Sequence, residues 1–306
     1  MHIDKRNTKY SHRMNLLMRK ELTSGAGVPA TPARPALRSL LLLASLANTL
    51  MFTHAAAAEA MTDEKMERFL LEAKVVGAKE LGTGITKPHR LTLELDGKTI
   101  YAAFKDVDVF KPGVTRFPGG KTEMNFTDKY IYEIAAYRLD RRLGMNMVPV
   151  AVVRKWNGKS GSFVEWIDCA IAENQRIEQG IEPPDPVAID YQKAVMRLFD
   201  ALIYNVDRNQ TNMLFRKSDW KLFLIDHTRS FRQIKKLPKA FAENPKSLPR
   251  DLLTQLESLG AAELKTLLKN VATGPQIKSL LLRRDQILVE IAEDRESYGD
   301  NMVFQD

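Results

Sequence analysis

A single cysteine, Cys169, stands among 306 residues. No disulfide can close within the chain, and cysteine usage is silent about the redox compartment. No Cys/His pattern has zinc spacing, no segment repeats, and no heptad run is sustained, which removes zinc modules, solenoids and coiled coils. Neither a G-x-G-x-x-G fingerprint nor a Walker A loop is present. A one-signed charge excess is also missing from most of the chain. Of the formal net charge of +8, residues 1–60 carry +5 through eight Lys/Arg against three acids, which leaves +3 for the other 246 residues. So small an excess calls for no nucleic-acid face. The longest apolar run, Leu40 to Phe52, is shorter than the ~20 residues a spanning helix needs.

That run has the setting of a leader. A basic region ending at Arg38 precedes it, and Ala55 to Ala58 and Ala58-Glu59-Ala60 follow as small-residue exits, the layout of a secretory signal peptide. The sequence therefore predicts export to a periplasmic or extracellular space, with membrane contact only through residues 1–60 if they stay uncleaved as an anchor. The hydrophobic composition of the whole chain, 44%, suffices for a packed core.

From Thr62 a helix is expected over Asp63 to Ala73, and then strands. Leu91 to Leu95 alternates with period two, Asp96-Gly97 is a hairpin signal, and Thr99 to Val107 returns with Tyr101, Ala103 and Lys105 on one face. Lys105 fits a solvated strand position as well as a phosphate-binding one. The stretch Leu81 to His89, with Gly82, Gly84 and Thr86, would let backbone N–H groups approach phosphates, and would equally serve as an ordinary turn. Lys111 to Lys121 reads as a Gly/Pro-rich loop. Thr127 is then the expected cap of a helix ending near Gly144. Within it Glu133 sits among apolar and aromatic neighbours and asks for a cation, Lys105 or a nearby surface residue. A second hairpin turns at Asn157-Gly158 and brings Glu165 and Ile167 to a hinge at Phe163 to Asp168. Glu173 to Pro186 reads as a polar connector, and three helices are expected after Phe231, with caps at Ser247 and Thr273 and a frayed end from Glu296.

The chemistry concentrates between Leu198 and Phe231. An apolar helix stripe of Tyr191, Val195, Leu198 and Leu202 runs into a polar loop with Asp207 and Asn212, and a hairpin delivers Asp226 at the end of the apolar strand Leu222 to Ile225. A carboxylate that can orient an acceptor hydroxyl, followed by an amide oxygen and a second carboxylate able to hold Mg²⁺, is a phosphoryl-transfer layout. Asp207 and Asn212 keep the five-residue separation of base and metal-binding Asn in kinases, in a D-R-x-x-x-N form without the preceding His.

On these residues, on Glu133 to Tyr137 (E-I-A-A-Y) and on the run L-I-D-H-T-R-S-F ending at Phe231, the chain resembles the atypical kinase-like families: phosphoinositide kinases, HipA-type kinases and the secretory-pathway Golgi casein kinases. It departs from ordinary protein kinases by having Asp226-His-Thr in place of D-F-G and by lacking an A-P-E segment. The resemblance implies an α+β, two-lobed protein-kinase-like fold. Its divisions would be a leader at 1–60, a strand-rich lobe at 61–169, a helical lobe at 170–295 and a tail at 296–306. It implies ATP with Mg²⁺ or Mn²⁺ and an unidentified acceptor hydroxyl, protein Ser/Thr being favoured over lipid or sugar. Lys105 would hold the phosphates beside Glu133, Asp207 would act as base, and Asn212 and Asp226 would bind metal. Ala103, Glu165, Ile167 and Leu214 would line the adenine site. An inactive binding module, or transfer of AMP, would use the same fold.

Overall fold

The computed structural model describes residues 61–82, 88–120, 122–242 and 248–304. Helix α1 (Asp63–Glu72) starts where Thr62 Oγ1 accepts the Lys65 N–H at 3.4 Å. It buries Met66, Phe69 and Leu70. Its last carbonyls are closed from outside, because Arg154 donates to Leu70 O (2.9 Å) and Ala73 O (2.7 Å).

Strands β1 (Lys74–Glu80), β2 (His89–Leu95) and β3 (Lys98–Lys105) follow, and the Asp96-Gly97 turn has both φ angles positive, 51° and 71°. That is the turn hand that matches strand twist. Next comes a two-stranded ribbon, β4 (Asp108–Arg116) and β5 (Thr122–Lys129), then helix α2 (Ile131–Arg142) and the hairpin β6 (Ala151–Trp156)–β7 (Lys159–Glu165). The main sheet is antiparallel in the order β1-β2-β3-β7-β6, so β3 is central and Lys105 lies opposite Ser162. Ala102 and Phe104 face the core while Ala103 and Lys105 face the other way, half-buried. Phe104 meets Trp156 and Phe163 edge-on at 5.1 and 5.3 Å.

The second half begins with β8 (Ala170–Ala172), helix α3 (Glu173–Glu178) and helix α4 (Pro186–Ile203), the last capped by the Asp185 carboxylate, which accepts from Val187 N and Ala188 N. Strands β9 (Met213–Arg216) and β10 (Leu222–Leu224) complete a small antiparallel sheet, β10-β9-β8. Helices α5 (Lys239–Ala242), α6 (Arg250–Ser258), α7 (Ala261–Leu267), α8 (Gly274–Tyr298) and α9 (Asp300–Val303) end the described chain. Helix α8 opens on a capping box, Thr273 with Gln276. It also sends the fully buried Arg283 across to the end of α4. There the guanidinium donates to Leu202 O (2.8 Å), Arg232 O (3.2 Å) and Ile234 O, and burial pushes its pKa down to about 10. No helix of the described residues is long and apolar enough to cross a membrane.

Several expected boundaries are corrected. The Lys111 to Lys121 stretch belongs to a ribbon rather than a loop: Pro112 and Gly113 occupy a bulge where the register shifts between Lys111 and Val114. Thr127 lies inside β5 and caps nothing; α2 begins after Tyr130 with no side-chain cap. Glu173 to Pro186 contains α3, because buried Glu173 gathers Arg176 and Lys193. The expected tail is ordered through Phe304, where Val303 and Phe304 are buried and Phe304 pairs with Leu248. Ser247 lies outside the described residues.

Two consequences of packing are measurable. A Cβ on Gly161 would stand 2.4 Å from the Lys105 carbonyl and 2.4 Å from the Phe104 ring. Gly161→Ala is therefore expected to destabilise by about 1–3 kcal/mol through overpacking, read as a lower unfolding midpoint. Asp140, fully buried, accepts from Met147 N at 2.9 Å and pairs with Arg141, which also serves Asp63. Burial outweighs that shared partner and pushes Asp140 from 3.8 up to about 6. A carboxyl that binds its proton more tightly folded than unfolded stabilises the fold at low pH and loses that contribution as pH rises through about 4 to 6. Between pH 4 and 7 the parental protein should lose about 3 kcal/mol more than Asp140→Asn, measured by urea unfolding.

Candidate active site

Helix α4 ends at Tyr204, whose left-handed backbone (φ 54°) turns the chain out into the loop that carries Asp207. Asn205 steadies the exit: its Oδ1 accepts the Asp207 N–H at 3.1 Å and its Nδ2 donates to Asp200 Oδ1 at 3.0 Å. Past the β9–β10 hairpin, Asp226 also has positive φ, 63°. A non-glycine residue in that region carries strain of order 1 kcal/mol, and it aims Asp226 back toward β3.

Lys105, Glu133 and Asp226 come together there. Lys105 Nζ donates to Glu133 Oε1 at 2.8 Å and to Asp226 Oδ1 at 2.9 Å. Burial opposes the charge on Lys105, and the two carboxylates outweigh it and raise the pKa. Burial likewise opposes the charge on Glu133, yet Lys105 and His227 hold its carboxyl far below the usual range. Lys105 is thus the cation partner of Glu133, and no surface residue takes that place. Thr228 Oγ1 adds a bond to Asp226 Oδ1 at 3.2 Å.

Asp207 stands apart from this cluster, part-exposed, with Oδ1 3.0 Å from Arg229 Nη1. Arg229 also pairs with Glu123 of β5, and its guanidinium lies 5.2 Å over the Phe126 ring. Asn212 is buried; its carbonyl accepts the Ile225 N–H at 3.2 Å, which puts it beside the strand end carrying Asp226. Its Oδ1 accepts from Thr211 at 3.3 Å. Ala103 is half-buried on β3, Ile167 is buried just after β7, and Leu214 is half-buried on β9. The Glu165 side chain is half-buried, its Oε2 accepts from Val150 N at 3.3 Å, and burial raises its pKa. Gly82 is exposed, with open space around it. Gly84 and Thr86 lie outside the described residues.

Five contributors were not singled out from sequence. Arg208 donates to both oxygens of Asp200 (3.0 Å each), to Asn212 O (2.9 Å) and to Ile225 O (2.5 Å). Asp200 had a signal: a charge inside the run Leu198 to Ile203 needs a buried partner. His227 is wholly buried against Glu133 and Arg208. Arg229 and Asp128 come from segments far apart in sequence. Lys129 N donates to Thr228 O at 2.8 Å, which sets Asp128 where it feels the charges of Asp226 and Lys105.

Whether the donors suit Mg²⁺ or Mn²⁺ follows from their kind. Asp128 Oδ1 is buried without a hydrogen-bond partner, and with the carboxylate of Asp226 and the amide of Asn212 it makes a set of hard oxygens. Among the described residues no three of His, Cys, Asp or Glu close into a cage.

No family model matches the sequence, and no curated protein matches it. Solved structures do match. A hydra Fam20 structure with sugar is 15% identical with a TM-score of 0.58, over 79% of this chain and 91% of that one. The Golgi casein kinase is 15% identical with a TM-score of 0.56, over 79% and 77%. The same kind of kinase with Mn/ADP bound is 14% identical with a TM-score of 0.57, over 79% and 78%. At such identities the likeness is one of shape. The chain has a mixed α+β fold similar to that of these kinase structures, with a strand-rich part that carries Lys105 and a helical part that carries Asp207, Asn212 and Asp226.

Proposed function

We propose that this protein is an exported, ATP-dependent phosphotransferase that moves the γ-phosphoryl group to an acceptor hydroxyl, a protein Ser or Thr being the favoured acceptor. The observation that carries this reading is the double contact of Lys105 with Glu133 and Asp226, residues 28 and 121 positions away in sequence. A lysine fixed between two carboxylates is a preorganised cation for nucleotide phosphates, since no reorganisation is required when substrate arrives. Asp226, Asn212 and Asp128 would hold the divalent cation, which supplies neutralisation of charge on the transferring group. Asp207 is the group placed to orient the acceptor hydroxyl, with Arg229 fixing the direction of its carboxylate. The Golgi casein kinase solved with Mn/ADP supports nucleotide and metal use in this fold.

The test is to incubate the purified chain with Mg- or Mn-ATP and identify the product. Accumulation of ADP bears the proposal out. AMP would point to nucleotidyl transfer, and an unchanged ATP pool with tight binding would point to a binding module. Export rests on residues 1–60, and N-terminal sequencing of the mature protein should find a start between about Ala56 and Met61.

A further inference from the structure

We infer that His227 is a positioning residue that ties the Lys105–Glu133 pair to the loop of Asp207 and Asn212 through one buried hydrogen-bond chain. The inference rests on the phosphotransferase reading only for what the chain positions; the chain itself is geometry. Glu133 uses Oε1 for Lys105, and its Oε2 lies 3.2 Å from the His227 backbone N–H and 3.1 Å from His227 Nδ1. On the other side of the ring, Nε2 is 3.0 Å from Arg208 Nη2. A guanidinium has donors only, so Nε2 accepts and the ring proton sits on Nδ1, where it donates to Glu133. One neutral tautomer satisfies both ends. Arg208 then continues the chain into the site loop by donating to the carbonyls of Asn212 and Ile225 and to Asp200. The ring has no room to swing away, being fully buried with Phe199 edge-on at 6.2 Å.

An ordinary D-F-G phenylalanine at this position would fill the space and make neither bond. The two halves of the histidine can be separated by substitution. Asn places a donor near the Nδ1 position and keeps the Glu133 end, whereas Gln places an acceptor near the Nε2 position and keeps the Arg208 end. The full-length protein and the variants His227→Asn, His227→Gln and His227→Phe are compared in three measurements. These are acylation of Lys105 by an amine-reactive ester without nucleotide, read by mass spectrometry; the dissociation constant of Mn-ADP; and the rate of ADP release from ATP.

His227→Gln should acylate Lys105 severalfold faster, because Glu133 loses the ring donor that fixes it beside the amine, and bind Mn-ADP more weakly. His227→Asn should keep Lys105 acylation near the parental rate while Mn-ADP binding weakens and ADP release falls about 10- to 100-fold, because the loop of Asn212 loses its support through Arg208. His227→Phe should show both defects. A packing role alone would leave Phe close to parental, and Asn and Gln equal to each other; either result overturns the inference. If Phe fails to fold, the Asn and Gln pair still decides. If the parental protein neither binds Mn-ADP nor releases ADP, the phosphotransferase reading fails, while Lys105 acylation still reports whether His227 positions the pair.

Discussion

Asp226→Asn should abolish metal-nucleotide binding and phosphoryl transfer together, whereas Asp207→Asn should leave binding near parental and slow transfer by about 10²- to 10⁴-fold. The difference follows from where the carboxylates stand. Asp226 is 2.9 Å from Lys105, beside Asn212 and within the field of Asp128. On the proposed reading, an amide in its place would remove charge from both the cation site and the lysine that would meet the phosphates. Asp207 touches neither group; its partner is Arg229. Its loss should be felt by the acceptor, in the transition state, and not by the bound nucleotide. Calorimetric titration with Mn-ADP and a turnover assay on both variants read the two effects apart. Parental turnover in Asp207→Asn would remove the base assignment and favour a binding module.

The largest effect on stability is expected at Arg208. Its side chain is only 8% exposed and that of Asp200 9%, so Arg208→Ala leaves a carboxylate in the core with only Asn205 against it. Removing one partner of such a pair costs about 3–5 kcal/mol. Arg208→Lys should recover little, because a point charge cannot reproduce the fork that reaches two carboxylate oxygens, two carbonyls and an imidazole. The double variant Arg208→Ala/Asp200→Ala should be less destabilised than the sum of the single changes. Urea midpoints at constant slope measure all of these, and strict additivity would show that the two residues do not act as a pair.

How much of this was readable in the chain depended on whether the signal was local. The Asp96-Gly97 and Asn157-Gly158 turns, the alternation along Leu91 to Leu95, and the stripe leading to Leu202 are short-range patterns, and the elements stand where those patterns put them. Glu133 and Asp226 were legible because each is a carboxylate set in or at the end of an apolar element, which needs a partner, whereas Lys105 fitted a solvated strand position equally well. The β4–β5 ribbon was not, since most of its residues are exposed on both faces and no alternation marks it. The adjacency of β3 and β7 was fixed by pairing across some sixty residues, to which local propensity is blind. His227 and Arg229 read as ordinary polar residues after a strand; their partners, Glu133 and Glu123, lie about a hundred positions upstream.

Arg283 has a consequence for the timing of synthesis. The carbonyls of Leu202, Arg232 and Ile234 flank the segment that holds Asp207 and Asp226, and the guanidinium that pairs with them arrives on α8, some fifty to eighty residues later. A chain emerging from the ribosome at roughly 5–20 residues per second spends several seconds with the strand-rich part complete and the end of α4 without that partner. Buried carbonyls do not stay unpaired, so the settling of this segment has to wait for α8. The segment that holds Asp207 and Asp226 thus gains its last carbonyl partners only once α8 has been made.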